Sequence, residues 1–319
     1  MLRLPSFTYL QPSSTGEALT MMRDAGPTGA YVAGGTDLYP NMKRRHQEPR
    51  TVISLAQVLG KKTSGISAGM TLTALASDGR IRTEYPAVAR AAELISTPLL
   101  RNMGTVGGNL CLDTRCNYYN QNYEWRKAID FCMKKDGAIC WVAPSSPRCW
   151  AVQSSDLAPV MVAIGAEYVL AGPGGERVVP AARFYHNDGI NYLTKQPDEI
   201  LLEIRLPPRN GWDATYWKLR RRGSFDFPVL GVAAWVKREG DVVVDARIVL
   251  GAVASHPQEV PEAAKALVGS RLDDETIRAA AEAAYKPSKP MDNTDFDLSW
   301  RKQMTFNYVK GALEELAGR

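Results

Sequence analysis

Two glycine-rich loops decide the fold of this chain: Ala33-Gly-Gly-Thr-Asp-Leu38 and Arg101-Asn-Met-Gly-Thr-Val-Gly-Gly-Asn-Leu110. Glycine permits positive φ and a close approach of the backbone to a ligand, and consecutive N–H groups in such loops form nests that bind anions. Thr36, Thr105 and Asn109 add side-chain donors. A lone glycine pair is more often a tight turn, and neither loop is a Walker motif or a G-x-G-x-x-G fingerprint. Two such loops in one domain nevertheless favour a nucleotide diphosphate.

The elements around these loops predict an α+β protein. Ser14 and Glu17 have capping-box spacing, which predicts a helix ending near Gly26, and Pro86 is well placed to begin a helix that reaches Ile95. A short helix is predicted after the first loop. Further strands are predicted at 30–33, 51–54, 65–75, 199–206, 216–219, 229–237 and 242–253. Apolar periodicity also covers 157–170, and helices are predicted at 261–268, 274–285 and 299–316.

Composition excludes several classes of function. The chain has 319 residues, of which 45 % are hydrophobic and 23 % charged, as in ordinary globular proteins. Its net charge is +5, but Lys and Arg are spread along the sequence, so no nucleic-acid partner is expected. No stretch approaches the roughly 18 apolar residues that cross a membrane, and the N-terminal residues do not resemble a signal peptide. We therefore expect a cytoplasmic protein that neither spans nor binds a membrane.

All five cysteines lie between Cys111 and Cys149, in a stretch without sustained helical or strand periodicity. Disulfides are disfavoured in a reducing cytosol, and a local group of thiols more often indicates a metal site. Cys111 directly follows the second loop and is the natural one to exclude. The others, Cys116, Cys132, Cys140 and Cys149, are separated by 15, 7 and 8 residues. Four thiolates suit either an iron–sulfur cluster or a structural zinc ion. The spacing does not distinguish the two, because it contains no C-x-x-C step.

No catalytic side chain is predicted. His46, His186 and His256 are scattered in sequence and none has ligand spacing with another. A histidine of this kind is more often a surface or turn residue than a base. No arrangement of a nucleophile with an adjacent base stands out either.

The two loops closely resemble the FAD-binding loops of the flavoprotein subunit in the xanthine dehydrogenase (molybdenum hydroxylase) family. Four further segments are similar to segments of that family and extend the resemblance over nearly the whole chain. They are Ser155-Asp-Leu-Ala-Pro159, Glu199-Ile-Leu-Leu202, Trp217-Lys218, and Leu250-Gly-Ala-Val253 with Pro257.

The resemblance implies that FAD is the cofactor and implies which residues bind it. Its diphosphate would be held by Ala33, Gly34, Gly35, Thr36 and Asp37, with Thr105, Gly108 and Asn109 on the other side. The residues implied near the flavin and its linker are Ser155, Asp156 and Lys218, and looser matches imply contacts from Tyr31, Leu38, Leu201 and Leu202.

The cysteine-rich stretch departs from most of that family, in which Ser-Asp follows the second loop within about ten residues. Cys111-Leu-Asp-Thr-Arg-Cys116-Asn-Tyr-Tyr-Asn-Gln121 resembles the start of an insert peculiar to the flavoprotein subunits of 4-hydroxybenzoyl-CoA reductases, a branch of the family. The later cysteines fall at the same spacing. The resemblance implies a [4Fe–4S] cluster bound by Cys116, Cys132, Cys140 and Cys149.

The implied architecture is an α+β chain of two domains. An FAD-binding domain would span 1–211, with a small α/β subdomain at about 1–57 and a mixed-sheet subdomain at about 58–211. The cluster insert would occupy about 112–154. A C-terminal domain of antiparallel sheet and helices would span 212–319, after the linker Pro207-Pro-Arg-Asn-Gly211.

The implied function is electron transfer within a molybdenum enzyme. The chain would pass electrons from a ferredoxin-like donor, through [4Fe–4S] and FAD, to a small subunit with two [2Fe–2S] clusters and a large subunit with the molybdenum cofactor. A dimer of such heterotrimers is expected, acting in reductive dehydroxylation of 4-hydroxybenzoyl-CoA or a similar aromatic substrate. Two alternatives stay open: an oxidative molybdenum hydroxylase in which the extra cluster is the electron exit, and a non-redox structural module that binds zinc.

Overall fold

The first glycine-rich loop lies at the end of a small parallel sheet. The computed structural model describes residues 3–60 and 63–319, so that residues 1–2 of the predicted first subdomain lie outside it. The sheet has the order β1-β3-β2, and all its pairs are parallel. Its strands are β1 (Thr8–Leu10), β2 (Gly29–Val32) and β3 (Thr51–Ser54).

Helix α1 (Thr15–Ala25) connects β1 to β2, and its first turn is capped as the sequence predicts. The Glu17 backbone N–H donates to Ser14 Oγ at 3.2 Å, and the Glu17 carboxylate accepts from the Ser13 backbone N–H at 2.7 Å. The loop 33–37 then leads from β2 into helix α2 (Leu38–Lys43).

A four-stranded antiparallel sheet of order β4-β7-β5-β6 forms the second subdomain. Its strands are β4 (Ile66–Ser67), β5 (Glu167–Gly172), β6 (Gly175–Pro180) and β7 (Ile200–Arg205). The helices packed around it are α3 (Leu72–Ser77), α4 (Gly79–Glu84), α5 (Pro86–Leu94), α6 (Pro98–Arg101), α7 (Val106–Leu110) and α9 (Leu157–Ile164). The insert contributes one further helix, α8 (Tyr123–Ala128).

The C-terminal region is an antiparallel sheet of order β11-β10-β9-β8 covered by three helices. The strands are β8 (Trp212–Leu219), β9 (Leu230–Glu239), β10 (Val242–Gly251) and β11 (Gln258–Glu259); the helices are α10 (Pro261–Leu267), α11 (Asp274–Tyr285) and α12 (Leu298–Leu316).

Both faces of this last sheet are buried, as the alternation of β9 illustrates. Val232 and Val236 belong to the core under α10–α12, whereas Ala233 and Trp235 belong to the core that contains α5 and α9. Successive side chains of a strand point to opposite faces, so β9 joins the two cores. The C-terminal sheet is therefore packed between its own helices and the second subdomain.

The α+β architecture predicted from sequence is confirmed, and most elements lie within a few residues of their predicted positions. Two predictions were wrong. Residues 65–75 form only the two-residue strand β4, after which Thr71 caps α3 by accepting from the Ala74 N–H at 3.1 Å. The sheet of the second subdomain is wholly antiparallel rather than mixed, because β7 pairs antiparallel with β4 and β5, and β5 pairs antiparallel with β6. The apolar stretch 157–170, to which no type of element was assigned, is divided between α9 and β5 because Gly165 adopts a left-handed conformation at the helix end.

Within the part of the chain that the structure describes, no helix is both long and apolar enough to cross a lipid bilayer.

Candidate FAD site and cysteine cluster

The two glycine-rich loops are in direct contact through Gly34. A β-carbon at position 34 would overlap the backbone carbonyl oxygen of Met103 in the second loop. Gly35 has φ +71°, and a β-carbon there would collide with the Tyr39 ring. The two backbones can approach each other because position 34 lacks a side chain, and the absence of a side chain at position 35 leaves room for the Tyr39 ring.

The second loop is held by backbone pairing and a helix cap. Thr105 Oγ1 accepts from the Gly108 N–H at 3.1 Å, which caps helix α7. The Gly107 N–H donates to the Ala68 carbonyl at 2.8 Å, and a β-carbon on Gly107 would lie 2.7 Å from the Ala68 side chain. This close packing fixes the position of the second loop relative to the segment that follows β4.

The paired loops open onto a cavity of about 760 Å³, here called the FAD cavity. Cofactor sites in proteins typically have volumes of about 300–1,000 Å³, so a dinucleotide cofactor fits the size of this site. The following predicted site residues line the cavity: Tyr31, Ala33, Gly34, Gly35, Thr36, Asp37, Leu38, Thr105, Gly108, Asn109 and Leu201.

Four of the predicted residues lie outside the cavity lining: Leu202, Ser155, Asp156 and Lys218. Leu202 is the neighbour of Leu201 in β7 and packs against the core beside it, as the alternation of a strand requires. The other three lie behind the cavity wall and support it.

Asn109 connects the second loop to this supporting layer. Its Oδ1 accepts from Ser155 Oγ at 2.7 Å and from the Leu157 N–H at 3.3 Å. Next to it, the Asp156 carboxylate accepts from the Tyr216 hydroxyl at 2.8 Å and from Lys218 Nζ at 2.9 Å. The hydrogen bonds thus link three segments that are distant in sequence.

The ion pair of Asp156 and Lys218 is buried, with side chains only 3 % and 1 % exposed. Burial raises the pKa of Asp156 and lowers the pKa of Lys218, while the attraction between the two charges opposes both shifts. Lys218 Nζ also donates to the Leu94 carbonyl at 2.9 Å, beside cavity residues Ile95 and Ser96. The pair therefore holds the wall of the cavity from the C-terminal sheet.

Part of the cavity wall comes from segments without a recognisable motif. The lining includes Ile190, Tyr192, Leu193 and Lys195 from the segment before β7, and Phe227 from the loop between β8 and β9. Burial lowers the pKa of Lys195, whose Nζ donates to the Gln196 and Glu199 carbonyls at 2.9 Å each. The segment 186–198 contains several Asn, Asp and Gly residues, which is an ordinary loop signal, so the sequence offers no basis for singling out the residues that line the cavity.

Cys111 lines the FAD cavity, and the other four cysteines lie together in the insert. Burial raises the pKa of the Cys111 thiol to about 11. Cys116, Cys132 and Cys149 share one buried apolar cluster with Tyr119 and Ala151.

Cys140 completes this group of four, here called the thiol cluster, and all five cysteines are free. A hydrogen bond between Cys149 and Cys140 lowers the pKa of Cys140 and raises the pKa of Cys149. Among residues 3–60 and 63–319, no three His, Cys, Asp or Glu side chains converge on one position suited to a single metal ion.

Buried polar side chains attach the insert to the first subdomain. Arg126 is fully buried and donates to the carbonyls of Arg44 and Arg45 at 3.2 and 3.1 Å. His46 Nε2 lies 2.9 Å from the Gln121 carbonyl oxygen, and its ring stacks on Tyr119 with centroids 4.4 Å apart.

A further attachment reaches the first loop itself. Arg115, with its side chain 8 % exposed, forms an ion pair with Asp37 and donates to Asn41 Oδ1 at 3.0 Å. The thiol cluster and the FAD cavity are therefore parts of one connected structure.

Comparisons with known proteins agree with this geometry. A family described as the FAD binding domain in molybdopterin dehydrogenase matches residues 5–209, and the CO dehydrogenase flavoprotein C-terminal domain matches residues 214–316. The carbon monoxide dehydrogenase medium chain of Hydrogenophaga pseudoflava is 28 % identical, with 97 % of this chain and 96 % of that protein covered. The aldehyde oxidoreductase FAD-binding subunit PaoB of Escherichia coli (strain K12) is 30 % identical over 87 % of this chain and 91 % of its own.

A solved structure gives the same result at the level of the fold. The structure of carbon monoxide dehydrogenase from Hydrogenophaga pseudoflava, in a form that lacks the Mo-pyranopterin moiety of the molybdenum cofactor, matches with a TM-score of 0.79. The identity is 27 %, over 98 % of this chain and 97 % of that one.

The fold and the paired loops thus define an FAD-binding subunit of an oxidoreductase. The chain belongs to the medium, FAD-binding subunits of the xanthine dehydrogenase and CO dehydrogenase family of molybdenum hydroxylases, as its resemblance indicated.

The contact at Gly34 makes a first prediction. Gly34→Ala should separate the two loops, because the new methyl group overlaps the Met103 carbonyl. We expect FAD to bind at least about tenfold more weakly, a loss of roughly 1.4 kcal/mol, measured as the flavin-to-protein ratio and by flavin titration of apoprotein. Gly79→Ala is the matched control, since nothing lies within 4 Å of its added methyl group. Full FAD retention in Gly34→Ala would contradict the role of this contact.

The attachment through His46 makes a second prediction. Burial lowers the pKa of His46 to about 4, below the usual value near 6.5, so the unfolded chain binds a proton there at pH 5 and the folded chain does not. Stability should therefore fall as pH decreases from 6.5 toward 4. This residue alone should lower the free energy of unfolding by about 2 kcal/mol between pH 7.5 and pH 5.

Urea unfolding of wild type and His46→Gln at the two pH values measures this effect. The variant should lose less stability than wild type on acidification, whereas His186→Gln, at an exposed position, should behave as wild type does. An unchanged pH dependence in His46→Gln would show that the histidine is not buried as a neutral ring.

Proposed function

We propose that this chain is an electron-transfer subunit carrying FAD and a [4Fe–4S] cluster in a molybdenum enzyme that removes a hydroxyl group reductively from 4-hydroxybenzoyl-CoA or a similar aromatic substrate. Its partners would be a large subunit with the molybdenum cofactor, a small subunit with two [2Fe–2S] clusters and a ferredoxin-like donor, in a dimer of heterotrimers in the cytoplasm. The observation that carries the proposal is the combination, in one chain, of an FAD cavity with three thiols in one buried apolar group and a fourth buried thiol, Cys140, next to them.

The residues of the FAD cavity support the first half of this proposal. The backbone of the two loops would bind the diphosphate, because these positions have glycines at the points of closest approach and side-chain hydroxyls beside them. Ser155, Asp156 and Lys218 would act indirectly, by holding Asn109 and the segment after α5 in place. Bound FAD would supply the redox chemistry, and the protein supplies orientation and electrostatics.

The thiol cluster supports the second half. Four thiolates are the ligand set of a [4Fe–4S] cluster, and four buried thiols lie together in the insert. A structural zinc ion takes the same ligand set, and metal analysis distinguishes the two. Cys111 would remain outside the set because it lines the FAD cavity.

An oxidative enzyme is the second candidate. The relatives include a carbon monoxide dehydrogenase medium chain, a name that describes an oxidative reaction. In that case the thiol-bound cluster would serve as the exit for electrons. Both candidates use the same cavity and thiols, so the direction of electron flow distinguishes them.

Replacement of single cysteines tests the cluster. Cys116→Ser, Cys132→Ser, Cys140→Ser and Cys149→Ser should each reduce the iron content of purified protein by half or more, because each removes a ligand. Cys111→Ser is the matched control for iron and should keep its iron content and its iron–sulfur absorption. Equal loss of iron in Cys111→Ser would refute the ligand assignment, and colourless wild-type protein containing zinc would refute the proposal itself.

A redox titration of the wild-type complex tests the direction of electron flow between the cluster and the flavin. For a reductive enzyme the midpoint potential of the [4Fe–4S] cluster should lie at or below that of the flavin, so that a low-potential donor can pass electrons inward. Electron paramagnetic resonance and visible absorption, recorded on the same samples, follow the two cofactors separately. A cluster potential well above that of the flavin would favour the oxidative candidate.

A further inference from the structure

A buried ion pair lies between the thiol cluster and the FAD cavity. Lys134 Nζ is 2.8 Å from Asp113 Oδ1, and the two side chains are only 6 % and 7 % exposed. Both residues belong to the insert, and neither is a proposed ligand of a cofactor. A pair removed from water in this way interacts with its surroundings more strongly than a pair at the surface.

Asp113 is the half of the pair that faces the FAD cavity. It forms part of the cavity lining, together with Gln47, whose Nε2 donates to Asp113 Oδ2 at 3.2 Å. The Tyr119 hydroxyl donates to the same oxygen at 3.0 Å. The carboxylate is thus fixed in position at the wall of the cavity.

Lys134 is the half that reaches toward the thiol cluster. Its Nζ donates to Thr114 Oγ1 at 2.8 Å and to the Gly189 carbonyl at 2.6 Å. The Gly189 N–H in turn donates to the Cys149 carbonyl at 3.0 Å, and a β-carbon on Gly189 would lie 2.7 Å from Cys149 Sγ. One glycine therefore separates the ammonium group from a thiol of the cluster.

Two tyrosines flank the Lys134 ammonium group. Lys134 Nζ lies 4.9 Å from the ring centroid of Tyr119, which packs in the thiol cluster, and 5.4 Å from that of Tyr192, which lines the FAD cavity. Tyr119 and Tyr192 thus shield the ammonium group on both sides. Its charge is compensated by Asp113 and by aromatic faces rather than by water.

We propose that the Lys134–Asp113 pair sets the reduction potentials of the two redox sites that it separates. Reduction adds negative charge, which a nearby buried cation stabilises and a nearby buried anion destabilises. The Lys134 ammonium raises the potential of the group bound by the thiol cluster, and the Asp113 carboxylate lowers the potential of the flavin. The inference rests on the proposed function for the cluster, and on FAD binding alone for the flavin.

The proposal is tested by removing the positive charge in one variant and the negative charge in another. Lys134→Met leaves a net negative charge and should lower the flavin and cluster midpoint potentials, whereas Asp113→Asn leaves a net positive charge and should raise them. We expect the flavin equilibrium to shift at least tenfold in each case, which is about 30 mV for a two-electron couple. In the double variant each site loses the charge nearer to it. The flavin potential should stay above wild type, by less than in Asp113→Asn, and the cluster potential should stay below wild type, by less than in Lys134→Met. The titrations are run at pH 8 on the assembled enzyme.

Lys135→Met is the matched control, because this neighbouring lysine is 26 % exposed and pairs with Asp136 at the surface. Solvent and salt screen such a charge, so both potentials should stay unchanged. Asp113→Asn is nearly isosteric and carries the test by itself if Lys134→Met does not fold.

The outcomes separate this inference from the proposed function. Shifts of the same sign in the two single variants, or no shift of the flavin, would overturn the role of the pair even in protein that contains iron. Iron-free wild-type protein would refute the cluster, while opposite flavin shifts in that protein would still support the pair. If the pair had only a structural role, both variants would lose flavin, and their shifts in flavin midpoint potential would not have opposite signs.

Discussion

The structure depends on one close approach of two backbones, at Gly34 and the Met103 carbonyl. Any side chain at position 34 would separate the two loops that line the FAD cavity. The neighbouring contacts serve the same approach: Gly107 lies against Ala68, and Asn109 is held by Ser155. A polar cofactor site thus rests on the absence of side chains at a few positions and on backbone hydrogen bonds around them.

The insert is ordered by a different principle. It has little regular structure, yet it buries three cationic side chains, those of Arg115, Arg126 and Lys134. Burying a charge is unfavourable unless it is paired or hydrogen-bonded, and these groups use carboxylates, backbone carbonyls and aromatic rings. Four buried thiolates would bring negative charge into the same interior. If the thiols bind a cluster as proposed, Lys134, whose charge acts on Cys149, would offset part of that negative charge.

The features that could be predicted from the sequence are those that depend on interactions between residues close together in the chain. Strands β9 and β10 and the helix starts at Ser14 and Pro86 depend on local patterns and were predicted nearly as found. The stretch 65–75 looks extended, but Thr71 caps a helix there because the second loop pairs beside it, a tertiary effect. The cavity wall at Tyr192 and Phe227 is assembled from distant loops, so no local pattern marks it. The loops themselves were found because glycines at fixed spacing leave a signal in the sequence, whereas the ion pair between Asp113 and Lys134 leaves none.

The two domains meet near residue 211 in the sequence, but they do not contribute independently to the stability of the fold. One face of the C-terminal sheet belongs to the core around α5 and α9, Lys218 neutralises the buried Asp156, and Phe227 lines the FAD cavity. Removing one partner of a buried ion pair typically costs about 3–5 kcal/mol, so the second subdomain depends on the C-terminal sheet for its stability. Because a ligand that binds only the folded state stabilises everything that folds with its site, FAD binding should stabilise both domains together. The C-terminal domain is thus a part of the flavin site, and its sheet transmits that stabilisation to the helices packed on its other face.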